Sequence, residues 1–244
     1  ANAGGGGREM SCGVAAAASP VLSDLHFRNN TAGTKGGALH HGSECDAMFA
    51  LNRVTFDSNI ATKGGALHAE FSSGVTLNDV VFSNNTAITH GGASYIGSLD
   101  SVVVQRVRFE GNSAGKQGGA MYNRSSVAGR TSSISLVDVT FDSNSALNSS
   151  SDGQGGAINN EAFGGNINLL MNRVTLSNNQ ANFAGAIRMT DSYVGGDVTA
   201  TLGNVTFSNN SATSSGRGIT SAANYNGVDL ALRNVTMDSS ATGS

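Results

Sequence analysis

The chain has 244 residues, 39% of them hydrophobic and 13% charged, with a formal net charge of −3. That length and apolar content can supply a sizeable core, and the sequence contains no run of like charges that would mark a nucleic-acid-binding tail or a polybasic membrane anchor. No segment has the ~20 consecutive apolar residues of a membrane-spanning helix, so we expect neither nucleic-acid binding nor direct membrane insertion.

The first 20 residues contain four consecutive glycines, Gly4 to Gly7, and the chain's single proline, Pro20. They predict a cap or a partial first coil at the start of one domain that covers residues 1–244. The chain begins at Ala1 without the charged and apolar regions of a signal peptide, as expected if such a peptide was removed or lay outside this sequence.

A repeated unit begins after this segment and recurs along the chain. Each unit is anchored by an aromatic or large apolar residue, and successive anchors are 26 to 35 residues apart. The anchors are Phe27, Phe56, Phe82, Phe109, Phe141, Leu176, Phe207 and Met237. Five residues before each anchor lies another apolar residue, the first being Leu22 and the last Leu232. The last unit has decayed, so residues 233–244 are predicted to form a degenerate last coil.

A glycine-led segment follows most anchors by eight or nine residues. It reads Gly-Gly-Ala-Leu at 36–39 and 64–67, Gly-Gly-Ala-Ser at 91–94, Gly-Gly-Ala-Met at 118–121 and Gly-Gly-Ala-Ile at 155–158. Each unit therefore has three short apolar stretches separated by polar or glycine-bearing corners, and the apolar residues alternate instead of following a 3.6-residue period. The pattern predicts an all-β solenoid of about eight coils, each with three short parallel strands.

Stacked coils place equivalent residues of successive units above one another. The anchors thus predict an aromatic ladder inside the tube, and the asparagine three residues after most anchors predicts a second ladder of side-chain amides. The amide ladder contains Asn30, Asn59, Asn85, Asn112, Asn144, Asn179 and Asn210. We expect these asparagines to adopt left-handed backbone at the corner, and the paired glycines to supply positive φ at the next bend.

The Phe-x-x-Asn and Gly-Gly-Ala-(Ile/Leu/Val) tetrads resemble the repeats of the chlamydial polymorphic outer-membrane proteins. The resemblance covers nearly the whole chain, although residues 91–94 and 118–121 differ in the last position and Leu176 replaces the aromatic residue. It implies a right-handed, single-stranded parallel β-helix that is secreted, displayed at a cell surface and often adhesive, and it implies no enzyme. The predicted function is a non-enzymatic extracellular structural or adhesive module, and no cofactor is predicted.

An open tube leaves unpaired strand edges at its ends. The N-terminal glycines and the decayed last unit predict caps, continuation into a longer surface protein, or joints through which copies of the chain stack end to end into a fibre. A chain that stays monomeric at rising concentration in sedimentation would contradict the fibre. The other partners expected from the resemblance are glycans or proteins of a host cell or its matrix.

Cys12 and Cys45 are the two cysteines of the chain. If the glycines at 4–7 form the bend of a partial first coil, Cys12 lies beside the column position of Ser43 and therefore close to Cys45. A disulfide would then staple the first coils. Two unpaired thiols and a metal-binding pair are the alternatives.

The residue after each buried apolar residue of the glycine-led segment predicts an outward column: His40, His68, Tyr95, Tyr122, Asn159, Arg188 and Thr220. The bend near it carries Lys35, Lys63, His90 and Lys116. Aromatic rings can stack on sugars, and cations beside them can bind carboxylates. The column and the bend together therefore predict a binding strip for glycans or acidic polymers. Aromatic residues, however, also occur on sheet faces through β-propensity alone. His40 and His68 lack a carboxylate ligand, so no metal site is predicted.

Polysaccharide lyases and hydrolases share the parallel β-helix, which makes a polysaccharide-active enzyme the alternative function. Their chemistry needs clustered carboxylates. The acids beside the anchors, Asp57, Glu110, Asp142 and Asp238, share a row with serines and predict a solvated surface. No catalytic residue is therefore predicted. A partial threonine column from Thr55 to Thr236 would suit ice binding, but Val81 and Arg108 interrupt it.

Seven Asn-x-Ser/Thr sequons occur along the chain. If the protein is secreted from a eukaryotic cell, the sequons at Asn123 and Asn148 are expected to lie in accessible loops and to carry glycans.

Overall fold

The structure is a computed structural model that describes residues 8–10, 19–42, 48–71, 73–148, 150 and 152–238. Cys12, Cys45, most of the predicted N-terminal cap and residues 239–244 lie outside the described residues. The described residues form β-strands joined by short turns. In those residues no helix is long and apolar enough to cross a membrane.

The strands, numbered in chain order, are β1 (Arg8–Met10), β2 (Val21–Ser23), β3 (His26–Arg28), β4 (Leu39–His41), β5 (Met48–Asn52), β6 (Thr55–Asp57), β7 (Ile60–Lys63), β8 (Leu67–Glu70), β9 (Gly74–Asn78), β10 (Val81–Ser83), β11 (Thr86–His90), β12 (Ser94–Gly97), β13 (Ser101–Gln105), β14 (Arg108–Glu110), β15 (Ser113–Ala114), β16 (Met121–Ser125), β17 (Thr131–Asp142), β18 (Ser145–Ala146), β19 (Ile158–Phe163), β20 (Asn166–Ser177), β21 (Gln180–Phe183), β22 (Ile187–Tyr193), β23 (Val198–Ser208), β24 (Ser211–Ser215), β25 (Ile219–Ala223) and β26 (Val228–Asp238).

These strands stack into three parallel sheets. Sheet A contains β1, β4, β8, β12, β16, β19, β22 and β25; sheet C contains β7, β11, β15, β18, β21 and β24; and sheet B contains all the others. One turn of the chain runs from sheet B through the sheet C side to sheet A, and we call each turn a rung. The described residues form seven complete rungs, beginning at residues 21, 48, 74, 101, 131, 166 and 198, with β1 before the first and β26 after the last.

The predicted all-β parallel solenoid is therefore confirmed, and its described residues contain seven complete rungs and one further strand at each end. Alternation along each strand explains the fold, because one set of side chains points into the tube and the other points outward. The inward set forms one continuous apolar core along the described rungs, from Ala38 to Phe207.

The anchor residues stack ring on ring within this core. Ring centroids of successive anchors from Phe27 to Phe141 are 4.7–5.1 Å apart, and their planes differ by 1–8°. Leu176 and Phe207 continue the column in register. The apolar residues five positions earlier, such as Leu77 and Val104, form a parallel buried column. Each rung is therefore held mainly by the rungs on either side of it.

The asparagines after the anchors form a hydrogen-bonded ladder at the corner between sheets B and C. From Asn30 to Asn210, each Nδ2 donates to the Oδ1 of the next asparagine at 2.8–3.0 Å. Each backbone N–H donates to the same oxygen at 3.0 Å. The left-handed residue is the one before the ladder asparagine, for example Asn84 with φ 55°. The expectation that the ladder asparagine itself is left-handed is wrong. The left-handed turn lies one residue earlier, and it directs the side-chain amide of the asparagine along the stack of rungs.

The two glycines of each bend have different roles. Gly118 has φ +65°, a conformation that side-chain-bearing residues rarely adopt. Gly119 has no such φ, but a Cβ placed on it would lie 2.0 Å from the carbonyl oxygen of Gly156 in the next rung. The first glycine therefore supplies the turn, and the second allows neighbouring rungs to approach.

Candidate functional site

The outer face of sheet A carries a column of rings, which we call the ring column: His40, His68, Tyr95 and Tyr122. These four residues pair in register from β4 to β16. Their ring centroids are 5.1, 4.7 and 5.0 Å apart in that order. In the three following rungs the same column position is occupied by Asn159, Arg188 and Thr220. The structure thus brings the predicted outward residues together.

The ring column is nevertheless covered. His68 is 0% exposed, Tyr95 3% and Tyr122 2%. Nζ of Lys35 lies 2.7 Å from Oε2 of Glu70, and this ion pair joins residues from the two sides of the column. The expectation of exposed rings is wrong for His68, Tyr95 and Tyr122, because side chains of the flanking rows fold over them; His40 is half-buried.

The row on the sheet C side of the column contributes two more covering groups. Nζ of Lys63 lies 5.3 Å from the centroid of the Tyr95 ring, and the ring of His90 lies 4.8 Å from that of Tyr122. Gln117 follows His90 in this row. Lys116 is the preceding residue and is exposed. Of the predicted bend cations, the structure therefore places Lys35, Lys63 and His90 beside the column.

The row on the other side of the column contains Glu70, Gly97, Arg124 and Glu161 in register. The Tyr122 hydroxyl donates to Oε2 of Glu161, and Nε of Arg124 lies 3.7 Å from the same oxygen. A Cβ on Gly97 would lie 2.7 Å from Cγ of Glu70, so this glycine makes room for the glutamate side chain. Sequence reasoning missed both glutamates, although each lies two residues after a member of the outward column.

Three rings of this cluster, those of His68, His90 and Tyr95, are neutral near pH 7. Burial, followed by the charges of Lys35, His40 and Lys63, lowers the pKa of His68 to about 2. Burial and Lys63 lower the pKa of His90 to about 4, despite an opposing effect of Glu161. Burial and Glu70 raise the pKa of Tyr95 to about 12. None of these three groups titrates near neutral pH, where a general acid or base works best.

Lowering the pH from 7 to 5 is expected to reduce the free energy of unfolding by about 2 kcal/mol through His68 alone. An unfolded histidine has a pKa of about 6.5, whereas folding holds the pKa of His68 at about 2. The unfolded chain therefore gains a proton that the fold excludes. The contribution of His68 is fully present above the unfolded pKa and falls as the pH drops below it.

Urea unfolding at the two pH values measures this effect. His68→Gln should reduce the difference between pH 7 and pH 5, whereas the matched change His26→Gln at an exposed position of β3 should leave it unchanged. Identical pH dependence in the wild type and His68→Gln would contradict the assignment.

The acids considered for catalysis lie on the outer face of sheet B in one row with serines. Nε of Arg28 lies 3.1 Å from Oδ2 of Asp57, and Nη2 of Arg108 lies 2.8 Å from Oε2 of Glu110. Burial raises the pKa of Asp142, but hydrogen bonds from Ser177, Asn178 and Ser143 outweigh it, and the pKa is lowered overall. The same balance, with donors Ser58, Ser83 and Asn84, lowers the pKa of Asp57. Neither carboxyl has the raised pKa of a general acid.

A charged ladder that sequence reasoning missed lies three residues before the anchors. Asp24, Arg53, Asp79, Arg106, Asp138 and Arg173 alternate in sign, and all have left-handed φ values of 52–57°. Each arginine Nε donates to the aspartate of the rung below at 2.6–2.7 Å. These hydrogen bonds are the largest cause of the lowered pKa of the three aspartates. The pairs tie rungs 1 to 2, 3 to 4 and 5 to 6, but as exposed ion pairs they are screened by salt.

The predicted glycosylation sites are not freely accessible. Asn123 lies in β16, is 2% exposed, and its Nδ2 donates to Oδ1 of Asn160 at 2.8 Å. Nδ2 of Asn148 donates to the carbonyl oxygen of Gly115 at 2.7 Å and also to Asp152. The expectation of an open loop is wrong for Asn123, because it lies in a strand and its amide bonds to the neighbouring strand; Asn148 lies between strands β18 and β19 and is half-buried.

Comparisons with known proteins agree with this architecture. Residues 24–42, 53–70, 79–93 and 138–161 match the Chlamydia polymorphic membrane protein repeat. Each match begins at a left-handed member of the charged ladder, at Asp24, Arg53, Asp79 or Asp138. Four segments of the chain thus match this repeat, and the resemblance noted from the tetrads is confirmed.

One curated relative is named "Probable autotransporter YfaL", from Escherichia coli (strain K12). It is 41% identical over 73 residues, which are 28% of this chain and 6% of that protein. The match thus spans a small part of the relative's length. No solved structure matches the chain.

Proposed function

We propose that this chain, built on polymorphic membrane protein repeats, is a passenger-type module of a cell-surface protein. It is a solenoid without catalytic activity that presents an adhesive outer face to glycans or proteins of a host cell or its matrix. The observation that carries the proposal is the stack of seven rungs with continuous phenylalanine and asparagine ladders. Such a stack is a rod, and a rod suits display at a distance from the cell.

The relative's name supports surface location. An autotransporter relative and chlamydial membrane-protein repeats both point to an outer-membrane or surface-exposed protein. The match covers only 6% of that relative. The proposed adhesion is therefore supported by the outer surface of the rod and not by the relative.

The chemistry of the described surface supports the non-enzymatic function over a polysaccharide-active enzyme. The carboxylates of the serine row are paired or hydrogen-bonded, and the ring column is covered. Two surface depressions, one lined by Phe207 and Met237 and one by Ser133 and Leu170, hold ≈ 180 and ≈ 190 Å³. Ligand pockets usually hold about 300–1,000 Å³.

Exposed apolar side chains offer contact area for a partner. Ile88 is 64% exposed, Tyr193 55% and Tyr225 59%. In β26, Leu232 is 46% and Met237 54% exposed, whereas their equivalents Leu202 and Phe207 are buried. The stacking of copies end to end stays a prediction.

Surface display tests the proposal. Residues 1–244, fused to an autotransporter translocator in E. coli, are expected to become accessible to added protease and to raise cell adhesion to epithelial or matrix-coated wells several-fold. Cells that display the translocator alone are the control. Display without any gain in adhesion on either surface would contradict the adhesive function. New reducing or unsaturated sugar ends released from polysaccharides by the purified chain would favour the enzyme instead.

A further inference from the structure

The upper part of the outward column of sheet A differs from the ring column below it. In rungs 5, 6 and 7 the column positions are Asn159, Arg188 and Thr220, which pair in register. Strands lie about 4.8 Å apart, so the three polar groups span roughly 10 Å. They form a short polar track on successive rungs.

Arg188 is a cation without a counter-charge among the described residues. Among the arginines whose side chains the structure describes, seven lie within 4.0 Å of a carboxylate: Arg28, Arg53, Arg106, Arg108, Arg124, Arg130 and Arg173. Arg217 and Arg233 have no such partner and are exposed. Arg188 also has none, yet it is half-buried, and its Nε has no hydrogen-bond partner in the described part of the chain. Burial lowers the pKa of this guanidinium.

The groups on either side of Arg188 are also unsatisfied. Asn159 is 0% exposed, and both Oδ1 and Nδ2 lack a hydrogen-bond partner among the described residues. Oγ1 of Thr220 is buried and likewise unpartnered. A Cβ on Gly216 would lie 1.9 Å from this oxygen, so the glycine leaves the hydroxyl its space. Buried polar groups are normally hydrogen-bonded, so three adjacent exceptions on successive rungs mark this part of the column as poorly satisfied by the described residues.

Two carboxylates on neighbouring positions of sheet A have other partners. Glu161, in the adjacent row, accepts from the Tyr122 hydroxyl and lies beside Arg124. Asp191 accepts from the backbone N–H groups of residues 224–226. Neither contact involves Arg188. Within the part of the chain that the structure describes, the guanidinium therefore has no acid in ion-pair contact, although acids lie close by in sequence.

The row flanking the track supplies an apolar surface. Phe183 is half-buried and lies in register between Gln154 and Ser215 on the side where Lys63 and His90 cover the ring column. This row has no cation at rungs 5 to 7, so the ring is the flanking group of Arg188's own rung. An aromatic face beside hydrogen-bonding groups suits the C–H face and hydroxyls of a sugar.

We infer that Arg188, which lies between Asn159 and Thr220 and is flanked by Phe183, binds the carboxylate of a uronic acid residue of an acidic glycan. The half-buried guanidinium holds this carboxylate through two parallel N–H···O bonds. The inference rests on the proposed adhesive function and gives its partner a chemical class.

Calorimetric titration of the purified chain with a galacturonate tetrasaccharide at low salt tests the site. We expect saturable binding that is about ten- to hundredfold weaker for Arg188→Gln and for the fully methyl-esterified tetrasaccharide. The matched variant Arg217→Gln, which removes an exposed cation one rung away, should bind like the wild type. Arg188→Gln should keep or raise the thermal midpoint, because it removes an unpaired half-buried charge.

Three outcomes would overturn the inference: no saturable binding by the wild type, equal affinity in Arg188→Gln, or a glutamate-rich peptide that binds as tightly as the sugar. The last would assign the site to a protein carboxylate. Cells that adhere although the purified chain binds no uronate would refute this site alone. Uronate binding without adhesion of displaying cells would refute the proposed function alone.

Discussion

Replacing Asn112 by alanine is expected to lower the free energy of unfolding by about 3 kcal/mol. Asn112 is 0% exposed in the middle of the asparagine ladder. Its Oδ1 accepts from the backbone N and the Nδ2 of Asn85, both at 3.0 Å. Its Nδ2 donates to Oδ1 of Asn144 and to the Phe82 carbonyl oxygen, also at 3.0 Å. Alanine would leave the buried Asn85 N–H without an acceptor, which is the costly kind of loss.

Urea unfolding followed by circular dichroism measures the overall effect, and amide hydrogen exchange at Asn85 locates it. The matched control is Asn172→Ala, whose Oδ1 accepts from Nδ2 of Asn204 in an exposed pair at 2.9 Å. That variant should lose less than about 1 kcal/mol. Equal losses in the two variants, or unchanged exchange at Asn85, would show that the ladder does not stabilise the stack.

The ladders could be predicted from sequence because they depend only on period. Once the anchors are aligned, a parallel stack forces Phe82 over Phe56 and Asn85 over Asn59. The charged ladder could have been found by the same alignment, since Asp24, Arg53 and Asp79 each precede an anchor by three residues. It was missed because residues on the solvent side of a corner are usually variable in repeats.

The cover over the ring column could not be predicted in this way. The alternation of β8 correctly placed His68 on the outer face of sheet A, yet the side chain is 0% exposed. Its burial depends on long side chains such as Lys35 and Glu70, which come from different rungs and meet across the column. Strand alternation predicts the face of a residue, whereas its exposure depends on the rotamers of neighbouring residues.

The polar track also depends on the side chains of the flanking row. In the rungs before the track, rings and ion pairs such as Lys35–Glu70 cover the outer face of sheet A. At Arg188 the flanking row changes from Lys63 and His90 to Gln154 and Phe183, and the outward residue changes from a ring to a cation. The flanking cations are thus lost in the rungs where the column gains a half-buried guanidinium without a described counter-charge.

Replacing Phe109 by alanine is expected to be the most destabilising of the changes considered, with a loss of about 3–5 kcal/mol. Phe109 is 0% exposed, and its ring lies 4.9 Å from that of Phe82 and 4.7 Å from that of Phe141, nearly parallel to both. Alanine would open a cavity in the middle of the stack and remove two ring contacts at once. Because each rung packs mainly on its neighbours, the loss should also weaken the coupling between the rungs below and above.

The chain contains its own control for this variant. Leu176 occupies the same column next to Phe141 and is fully buried, so the column accommodates a branched aliphatic side chain. Phe109→Leu should therefore cost less than about half of the loss in Phe109→Ala, since most of the volume is retained. In urea, Phe109→Ala should show a lower midpoint than Phe109→Leu, and a split transition would mark the separation of the two halves. Equal midpoints for both variants and the wild type would mean that the ring stack adds nothing to the pairing of the strands.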